Sequence, residues 1–440
     1  MRKLLALGLL LVPASLVAQE TSLLAPSHLV KPARVAPSGG ISGVQKPVTF
    51  SDQVVRLLQT HCQTCHHDGD IAPFPLVTYQ DAYEHRFLIH EMVTTRKMPP
   101  WLADASCSRF QHDPSLTEEE IATFERWVLA DAPEGDRARM PQPLSFSSAW
   151  KLGEPEATVK MAEPFQPDLS ESDVYRCFVL PTSFAENRYV TAMEVLPGSR
   201  AMVHHVLVFV ESGNASLAKD AGEPGPGYTC FGGPIVPVDG GLGGWAPGNV
   251  PELLPEGVGI SLPMGARLIM QVHYSRQSGV REPDQTSLGL HFAHGPVKKR
   301  LISVPLVNTT FNIPAGARDY EVRASIPLIP FAVHLLGITP HMHLLGQSME
   351  VSATLPGGAE VCLIKVPEWD FHWQRTYMYR EPVALPAFSG VQLVATYDNS
   401  VFNAENPNNP PKNVGWGEQT SDEMCLAFLS FTLDYEDLTR

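Results

Sequence analysis

Charged residues are scarce in this chain of 440 residues: they make up 18% of it, and the formal net charge is -15. No cluster of lysine and arginine occurs beyond the N-terminus, so the electrostatic footprint of a nucleic-acid-binding protein is missing. The apolar run from Leu4 to Val12 is too short to span a bilayer as an anchor of the mature chain. The sequence therefore predicts no nucleic-acid partner and no transmembrane segment in the mature protein.

Cysteine is also sparse, with seven residues, and none follows the N-terminal apolar run at a position that could carry a lipid. Met1-Arg2-Lys3, the apolar run and the small residues up to Ala18 are typical of a secretory signal peptide over residues 1–18. Export places the chain in an oxidising compartment, where paired cysteines become disulfides. We therefore expect a periplasmic or extracellular protein in which one cysteine stays unpaired.

Proline and glycine are abundant, with 40 and 33 residues, and favour short strands and turns over long helices after about residue 150. Residues 19–45 lack periodicity and indicate a flexible tether. A first folded unit is predicted over 46–133, followed by a linker over 134–160. Two β-sandwich or jelly-roll domains are predicted over 161–300 and 301–440. The predicted fold class is thus a small all-α domain followed by two all-β domains.

A haem-attachment motif follows the first predicted helix, an amphipathic segment with a capped start at Thr49. Cys62, Cys65 and His66 form C-x-x-C-H, in which two thiols reach the haem vinyl groups and the next residue presents an imidazole to the iron. Met98, in the stiff Met-Pro-Pro loop, is the predicted sixth ligand. A redox dithiol or half of a zinc site would share the C-x-x-C spacing, but neither needs the adjacent histidine or the Met-Pro-Pro loop.

A second helix is predicted from a capping box formed by Thr117 and Glu120, followed by an apolar stripe. This helix would pack across the helix that carries the haem motif. Residues 48–133 therefore resemble a small class I cytochrome c with histidine and methionine ligands, which implies one covalently bound haem c. Cys107 lies in a loop of this unit without an evident partner, and we predict that it is the unpaired thiol.

Histidines recur in the strands predicted after residue 160. His204 and His205 are adjacent in an apolar strand, and adjacent strand residues point to opposite faces. Both can therefore bind one ion only at a strand end or at a bulge. His273, in the alternating strand Leu268 to Ser275, offers a third imidazole.

His341 and His343 are two residues apart in an apolar, strand-like stretch. Because alternate residues of a strand share a face, the two imidazoles can converge on one metal ion, although such a pair can also be merely the polar face of a strand. Met424, in Asp422-Glu423-Met424-Cys425, adds a thioether. Two imidazoles and a thioether tolerate both Cu(I) and Cu(II), so these residues outline a redox copper site.

In order and in flanking residues, the histidines and Met424 resemble the copper type II, ascorbate-dependent monooxygenases, the family of dopamine β-monooxygenase and peptidylglycine α-hydroxylating monooxygenase. Tyr175-Arg176-Cys177 is similar to the family's opening strand, and His334 stands before His341 as in dopamine β-monooxygenase. The resemblance covers roughly residues 165–435. It implies two copper-binding β-sandwiches that face a solvent cleft.

The resemblance also implies a role for each ligand. His204, His205 and His273 would hold an electron-transfer copper. His341, His343 and Met424 would hold the copper that binds oxygen and substrate, and would be the catalytic residues. The implied reaction inserts one atom of O₂ into an activated C–H bond of a small organic substrate.

Two departures from the peptidylglycine enzymes concern the substrate. Thr339 stands where those enzymes carry a substrate-binding arginine, and Phe428 stands where they carry a tyrosine. A peptide with a C-terminal glycine is therefore a poor candidate. The resemblance also implies a Cys362–Cys425 disulfide, and Cys177 is then left to pair with Cys230 by elimination.

The fused haem unit suggests how electrons arrive, because a one-electron carrier on the same chain has a high effective concentration. The external donor would be an ascorbate-like reductant or a redox protein. Two other hypotheses remain open. The chain can be a non-catalytic haem and copper protein that transfers electrons or handles copper, or a sandwich scaffold whose histidines are satisfied core groups.

Overall fold

Short β-strands make up most of the fold, as the proline and glycine content predicts. The computed structural model describes residues 46–70, 72–146, 150–168, 170, 173–275 and 280–440. The predicted signal peptide and tether lie outside these residues. Residues Pro47–Arg440 belong to one compact unit. In the described part of the chain, no helix combines the length and the apolar character that crossing a membrane requires.

The helical unit, residues 47–132, has its own apolar core around Phe50, Phe124 and Trp127, which are fully buried. The predicted capping box of Thr117 and Glu120 is confirmed. The predicted first helix differs, because it opens with a π-helical turn, Phe50–Val54, and Thr49 makes no side-chain cap. The helices are α1 (Val55–His61), α2 (Tyr79–Glu84), α3 (Arg86–Thr94) and α4 (Glu118–Leu129).

The first sandwich consists of two five-stranded sheets with the strand orders β1-β9-β3-β7-β10 and β5-β2-β8-β4-β6. Apolar residues of both sheets form one core. Helix α5 (Ala215–Asp220) follows β4. The strands are β1 (Ala157–Lys160), β2 (Asp173–Pro181), β3 (Arg188–Leu196), β4 (Val203–Glu211), β5 (Tyr228–Thr229), β6 (Gly240–Trp245), β7 (Val258–Leu262), β8 (Arg267–Ser275), β9 (Ser287–Phe292) and β10 (Lys299–Arg300).

The second sandwich packs two four-stranded sheets, β11-β20-β14-β17 and β13-β18-β15-β16, with a two-stranded sheet of β12 and β19 beside them. Alternating burial along β13 and β18 turns one face of their sheet to the core. The strands are β11 (Ile302–Asn308), β12 (Asn312–Ile313), β13 (Tyr320–Ile326), β14 (Val333–His341), β15 (Gly346–Thr354), β16 (Glu360–Val366), β17 (Tyr377–Leu385), β18 (Gly390–Tyr397), β19 (Val414–Gly415) and β20 (Cys425–Leu433).

The segment predicted as a linker, 134–160, is only partly a connection. Strand β1 lies inside it and pairs with β9 of the first sandwich. At its other end, the carbonyl of Glu134 accepts the N–H of Ser51 at 2.9 Å and so extends the helical unit. A four-residue strand has too little alternation to be recognised in a sequence.

The disulfides correct part of the predicted pairing. Cys177–Cys230 is confirmed, but Cys107 is bonded to Cys362 and is not the odd thiol. Cys425, predicted to pair with Cys362, is a buried free thiol. The prediction was wrong because it treated Cys107 as part of a separate domain, whereas its loop is docked on the second sandwich.

That docking is built from backbone contacts as well as the disulfide. Phe110 forms an antiparallel bridge with Tyr379 of β17, and its buried side chain joins the core of the second sandwich. The N–H of Asp104 donates to the carbonyl of Lys365 at 2.8 Å, and the Ser108 hydroxyl donates to the carbonyl of Cys362 at 2.9 Å. The helical unit is therefore attached to the second sandwich and does not depend on the linker alone.

We expect the Cys107→Ser/Cys362→Ser double variant to lose about 2–5 kcal/mol of unfolding free energy, because the disulfide restricts a long loop of the unfolded chain. Denaturant unfolding of the oxidised proteins measures the change. Cys425→Ser, which removes a buried thiol but no disulfide, is the control and should cost clearly less. Equal losses in the two variants would contradict a stabilising role of the disulfide.

Candidate metal centres

The three-histidine cluster, His204, His205 and His273, forms where β4 pairs with β8. His205 lies directly opposite His273 in this pair, and the register shifts between Val203 and His205. This irregularity is of the kind that the sequence requires for adjacent histidines to converge. Side-chain nitrogens of the three residues lie within 4.8 Å of one another, which fits one metal ion.

The distances between these nitrogens agree with ligation. Nδ1 of His205 lies 3.2 Å from Nδ1 of His204 and 3.4 Å from Nδ1 of His273. Imidazole nitrogens held at about 2.0–2.1 Å from one ion with tetrahedral angles lie about 3.3 Å apart. The cluster therefore presents three converging Nδ1 atoms with spacing suited to zinc, copper, iron or nickel.

The ring of His273 is fixed from behind. Its Nε2 lies 2.8 Å from Oδ1 of Asp173, and the ring stacks on Tyr175 with 4.2 Å between centroids. Thr420, from the second sandwich, donates its hydroxyl to the same Asp173 oxygen at 2.8 Å. A carboxylate that receives the N–H of a histidine leaves the other nitrogen available as a ligand. Asp173 thus orients one ligand and joins the two sandwiches.

Burial keeps the imidazoles of His204 and His205 neutral. It lowers the pKa of His204 to about 3 and the pKa of His205 well below its ordinary value, and the neighbouring histidines lower both further. Metal ligation requires a neutral imidazole, so these two residues are in the protonation state that binds metal at neutral pH.

His341 and His343, here called the H-x-H pair, come together at the end of β14, with 5.2 Å between ring centroids. His341 is the last residue of the strand, and His343 lies just beyond it. Nδ1 of His341 lies 2.7 Å from Oε1 of Gln374, and Nδ1 of His343 lies 3.2 Å from the carbonyl of Asp422. Both residues therefore have Nε2 left for a ligand. Burial lowers their pKa values to about 3 and about 4.

Met424 is buried beside this pair. The β14–β20 ladder ends with His341 opposite Leu426, so Met424 and His343 each lie two residues beyond this last pair. One carboxylate oxygen of Glu423 accepts the N–H groups of His343 at 2.9 Å and Met424 at 3.0 Å. Burial raises the pKa of Glu423 to about 8, and these N–H groups oppose that rise. Glu423 therefore holds the backbones of two predicted ligands together.

Phe371 connects the two groups of histidines. Its ring is almost fully buried and stacks on His204, with 5.0 Å between centroids and 19° between planes. The same ring meets His343 edge-on, at 5.9 Å and 86°. An aromatic side chain therefore lies between His204 of the three-histidine cluster and His343 of the H-x-H pair.

The haem-attachment motif lies at the end of α1. Cys62 and Cys65 form no disulfide, and burial raises the pKa of Cys62 to about 12. Nδ1 of His66 lies 3.0 Å from the carbonyl of Phe74, so Nε2 is available for a ligand bond. Two unpaired thiols and an imidazole oriented in this way fit the donor set for covalent haem. Met98 follows α3, with its N–H donating to the carbonyl of Met92 at 3.1 Å, and its role as sixth ligand stays a prediction.

Several supporting residues were not predicted from the sequence: Asp173, Phe371 and Gln374. Asp173 precedes Tyr175 by two residues, so strand alternation places both on one face, and this signal was available. Phe371 and Gln374 lie in a loop rich in aromatic residues, where no local pattern indicates what they contact. His334, by contrast, lies on the surface with its side chain 45% exposed, and its Nδ1 lies 2.6 Å from Oδ1 of Asp434.

No family model matches this sequence, and no curated protein matches it. Among solved structures, the major capsid protein P2 of bacteriophage PM2 is similar over 63% of this chain and 97% of that one, at 6% identity and a TM-score of 0.25. The VP2 subviral particle of infectious bursal disease virus is similar over 66% of this chain and 83% of that one, at 8% identity and a TM-score of 0.18. PNGF-II is similar over 63% of this chain and 65% of that one, at 12% identity and a TM-score of 0.28. At these TM-scores the similarities carry no argument about function and lend no support to the copper monooxygenases.

Proposed function

We propose that this chain is an exported monooxygenase that uses two copper ions and one covalent haem c to hydroxylate a small organic molecule. In the balanced reaction, a C–H bond and O₂ take up two electrons and two protons and give a C–OH group and water. Copper, when bound, would supply redox chemistry between Cu(I) and Cu(II), one electron for each ion. The two disulfides agree with export into an oxidising compartment.

The observation that carries this proposal is the presence of two groups of buried or half-buried imidazoles, each with one member, His204 or His343, in contact with Phe371. The two groups offer different donor atoms, and this difference fits two copper sites with different tasks. Three nitrogens suit an ion that changes oxidation state without binding substrate, whereas a thioether beside two nitrogens favours Cu(I). We therefore assign electron transfer to the three-histidine cluster and substrate oxidation to the H-x-H pair with Met424.

The surroundings of the H-x-H pair favour a substrate without a carboxylate. The hydroxyl of Thr339 bonds the hydroxyl of Thr376 at 2.8 Å, so no cation is offered at this position. Phe428, which pairs with Thr339 across the ladder, presents an aromatic ring without a hydroxyl. We infer a neutral substrate with an activated C–H bond, and an external donor that is either an ascorbate-like reductant or a redox protein.

Metal analysis of two matched variants tests the proposal. The wild-type protein, matured with haem and loaded with copper, is expected to carry two coppers and one haem per chain. Met424→Ala should lose Cu(I) from the H-x-H pair and keep the other copper, and His273→Ala should do the reverse. His291→Ala is the control, because this buried histidine pairs with Glu194 at 3.0 Å, away from both groups. It should retain both coppers.

The outcomes separate the competing hypotheses. A wild-type protein without copper would leave only a sandwich with satisfied core histidines. Two bound coppers without O₂ consumption by the reduced protein, across a panel of neutral substrates, would favour the non-catalytic redox protein. Haem that is extracted by acid acetone would contradict covalent attachment through Cys62 and Cys65.

A further inference from the structure

One loop of the second sandwich contacts both groups of histidines and the segment that follows Met98. This loop, the linking segment, comprises residues 367–376 between β16 and β17. It is anchored at Trp369, whose backbone N–H donates to the carbonyl of Gln347 at 2.8 Å and whose indole N–H donates to the carbonyl of His343 at 3.1 Å. The anchor fixes the segment directly beside the H-x-H pair.

Two further residues of the segment touch the ligands themselves. Phe371 contacts His204 and His343, and Gln374 offers Oε1 to Nδ1 of His341 at 2.7 Å. The amide NH₂ of Gln374 donates to the carbonyl of Phe371 at 2.9 Å, so the two contacts are held in one arrangement.

The next residue reaches the helical unit. The Arg375 guanidinium lies over the ring of Trp101, 5.0 Å from its centroid, and its Nη1 lies 3.4 Å from the carbonyl of Pro100. Trp101 is three residues after Met98, the predicted haem ligand. Attachments to the helical unit stand on both sides of the segment: the Cys107–Cys362 disulfide before it and the Phe110 bridge to Tyr379 after it. Arg375 and Gln374 thus join the Met98 loop to His341 across a single peptide bond.

We propose that Gln374 and Arg375 form an internal electron-transfer contact through which the helical unit reduces the centre at the H-x-H pair directly. This inference rests on the proposed function. With both groups bound, each transfer would oxidise the haem iron from ferrous to ferric and reduce one Cu(II) to Cu(I), and the external one-electron donor would restore ferrous haem. The residues act as positioning groups that hold the two sites in electronic contact.

The three-histidine cluster has a connection to the helical unit that passes through more residues. Arg200 pairs with Asp70 at 2.9 Å, four residues beyond His66, and His204 follows Arg200 by four further residues. The route to the H-x-H pair takes three residues from Met98 to Trp101, the contact of Trp101 with Arg375, one peptide bond to Gln374 and one hydrogen bond to His341. We therefore take the H-x-H centre as the first acceptor, and the three-histidine cluster would supply the other electron.

Flash reduction of the haem tests this route without turnover. A photochemical one-electron donor reduces the haem of the copper-loaded, oxidised holoprotein, and haem absorbance then follows reoxidation. The Gln374→Leu variant is expected to slow reoxidation about tenfold or more, with copper content and haem potential unchanged. Gln374→Glu, which keeps an oxygen acceptor for His341, should restore most of the rate. Arg375→Leu should slow it as well.

Matched controls are Gln392→Leu and Arg380→Leu, two exposed side chains of the same sandwich. They should leave the rate as in the wild type. In His273→Ala, which lacks the metal of the three-histidine cluster, fast reoxidation by the remaining copper should persist. Its loss, or a wild-type rate in Gln374→Leu with both cofactors bound, overturns the inference alone. A protein that binds no copper or no haem overturns the proposed function and the inference together.

Discussion

The His343→Ala variant is expected to lose copper from the H-x-H pair and to form no product with any electron donor, whereas its haem is reduced as in the wild type. The physical reason is the donor set, since His341 and Met424 alone cannot replace the missing imidazole. Product formation should fall below about one hundredth of the wild-type rate, beyond the usual effect of residues that only support a ligand. Product formation and O₂ uptake are measured with a neutral substrate that the wild-type protein hydroxylates.

Met98→Ala should give the opposite pattern. Haem ligated by both His66 and Met98 would have no open position, so it would transfer electrons without binding O₂. The variant is expected to shift the haem potential and to slow turnover with a haem-directed donor, yet to keep most activity with a small reductant that reaches copper. His372→Ala, beside Phe371 but partly exposed and paired with Asp370, is a control that should change neither property.

Product formed at the wild-type rate by His343→Ala would refute the assignment of substrate oxidation to the H-x-H pair.

Local patterns in the sequence were sufficient to predict those features of the structure that depend only on neighbouring residues along the chain. The capping box at Thr117 needs only Glu120, and the requirement for a bulge at His204 and His205 follows from the geometry of one strand. The change of sandwich predicted near residue 300 lies close to the point where β10 ends at Arg300 and β11 begins at Ile302. These predictions needed no knowledge of how distant segments pack.

Contacts between distant segments were not predictable in the same way. Cys107 and Cys362 are 255 residues apart, and their bond depends on the docking of a loop that carries no recognisable docking signal. The expected Cys362–Cys425 pair came from the resemblance alone, and Cys425 instead lies buried without a disulfide. The contact of Gln374 with His341 was unpredictable for the same reason, because it depends on where the loop that carries Gln374 packs.

The metal-free protein is expected to unfold steeply on acidification below about pH 6.5, because several buried histidines stay neutral in the folded chain and become protonated in the unfolded chain. The pKa values of His204 and His341 are lowered to about 3, that of His343 to about 4, and that of His205 well below its ordinary value. Between these values and about 6.5 the unfolded state binds more protons, so the unfolding free energy rises with pH. Within that pH range, each histidine changes the unfolding free energy by about 1.4 kcal/mol per pH unit.

Glu423 acts in the opposite direction. Its folded-state pKa is raised to about 8, so between about 4.5 and 8 the folded state binds the extra proton and stability falls as pH rises. One carboxyl cancels about one of the four histidines, which leaves about 4 kcal/mol lost per pH unit on going down through pH 5.5. Typical domain stabilities of about 5–15 kcal/mol would then be exhausted within a few pH units.

Denaturant unfolding of the metal-free protein at a series of pH values measures this slope. His341→Leu should reduce this slope by about a third, since removing one of four histidines leaves about two net protons in place of three. His294→Ala, at a histidine that is 84% exposed, should leave the slope unchanged. Bound copper should move acid unfolding to lower pH, because protons must then displace the metal before they reach the imidazoles. If the unfolding free energy of the metal-free protein hardly changed between pH 4.5 and 6.5, these histidines would not be buried as neutral groups. They would then not be held in the protonation state that metal binding requires.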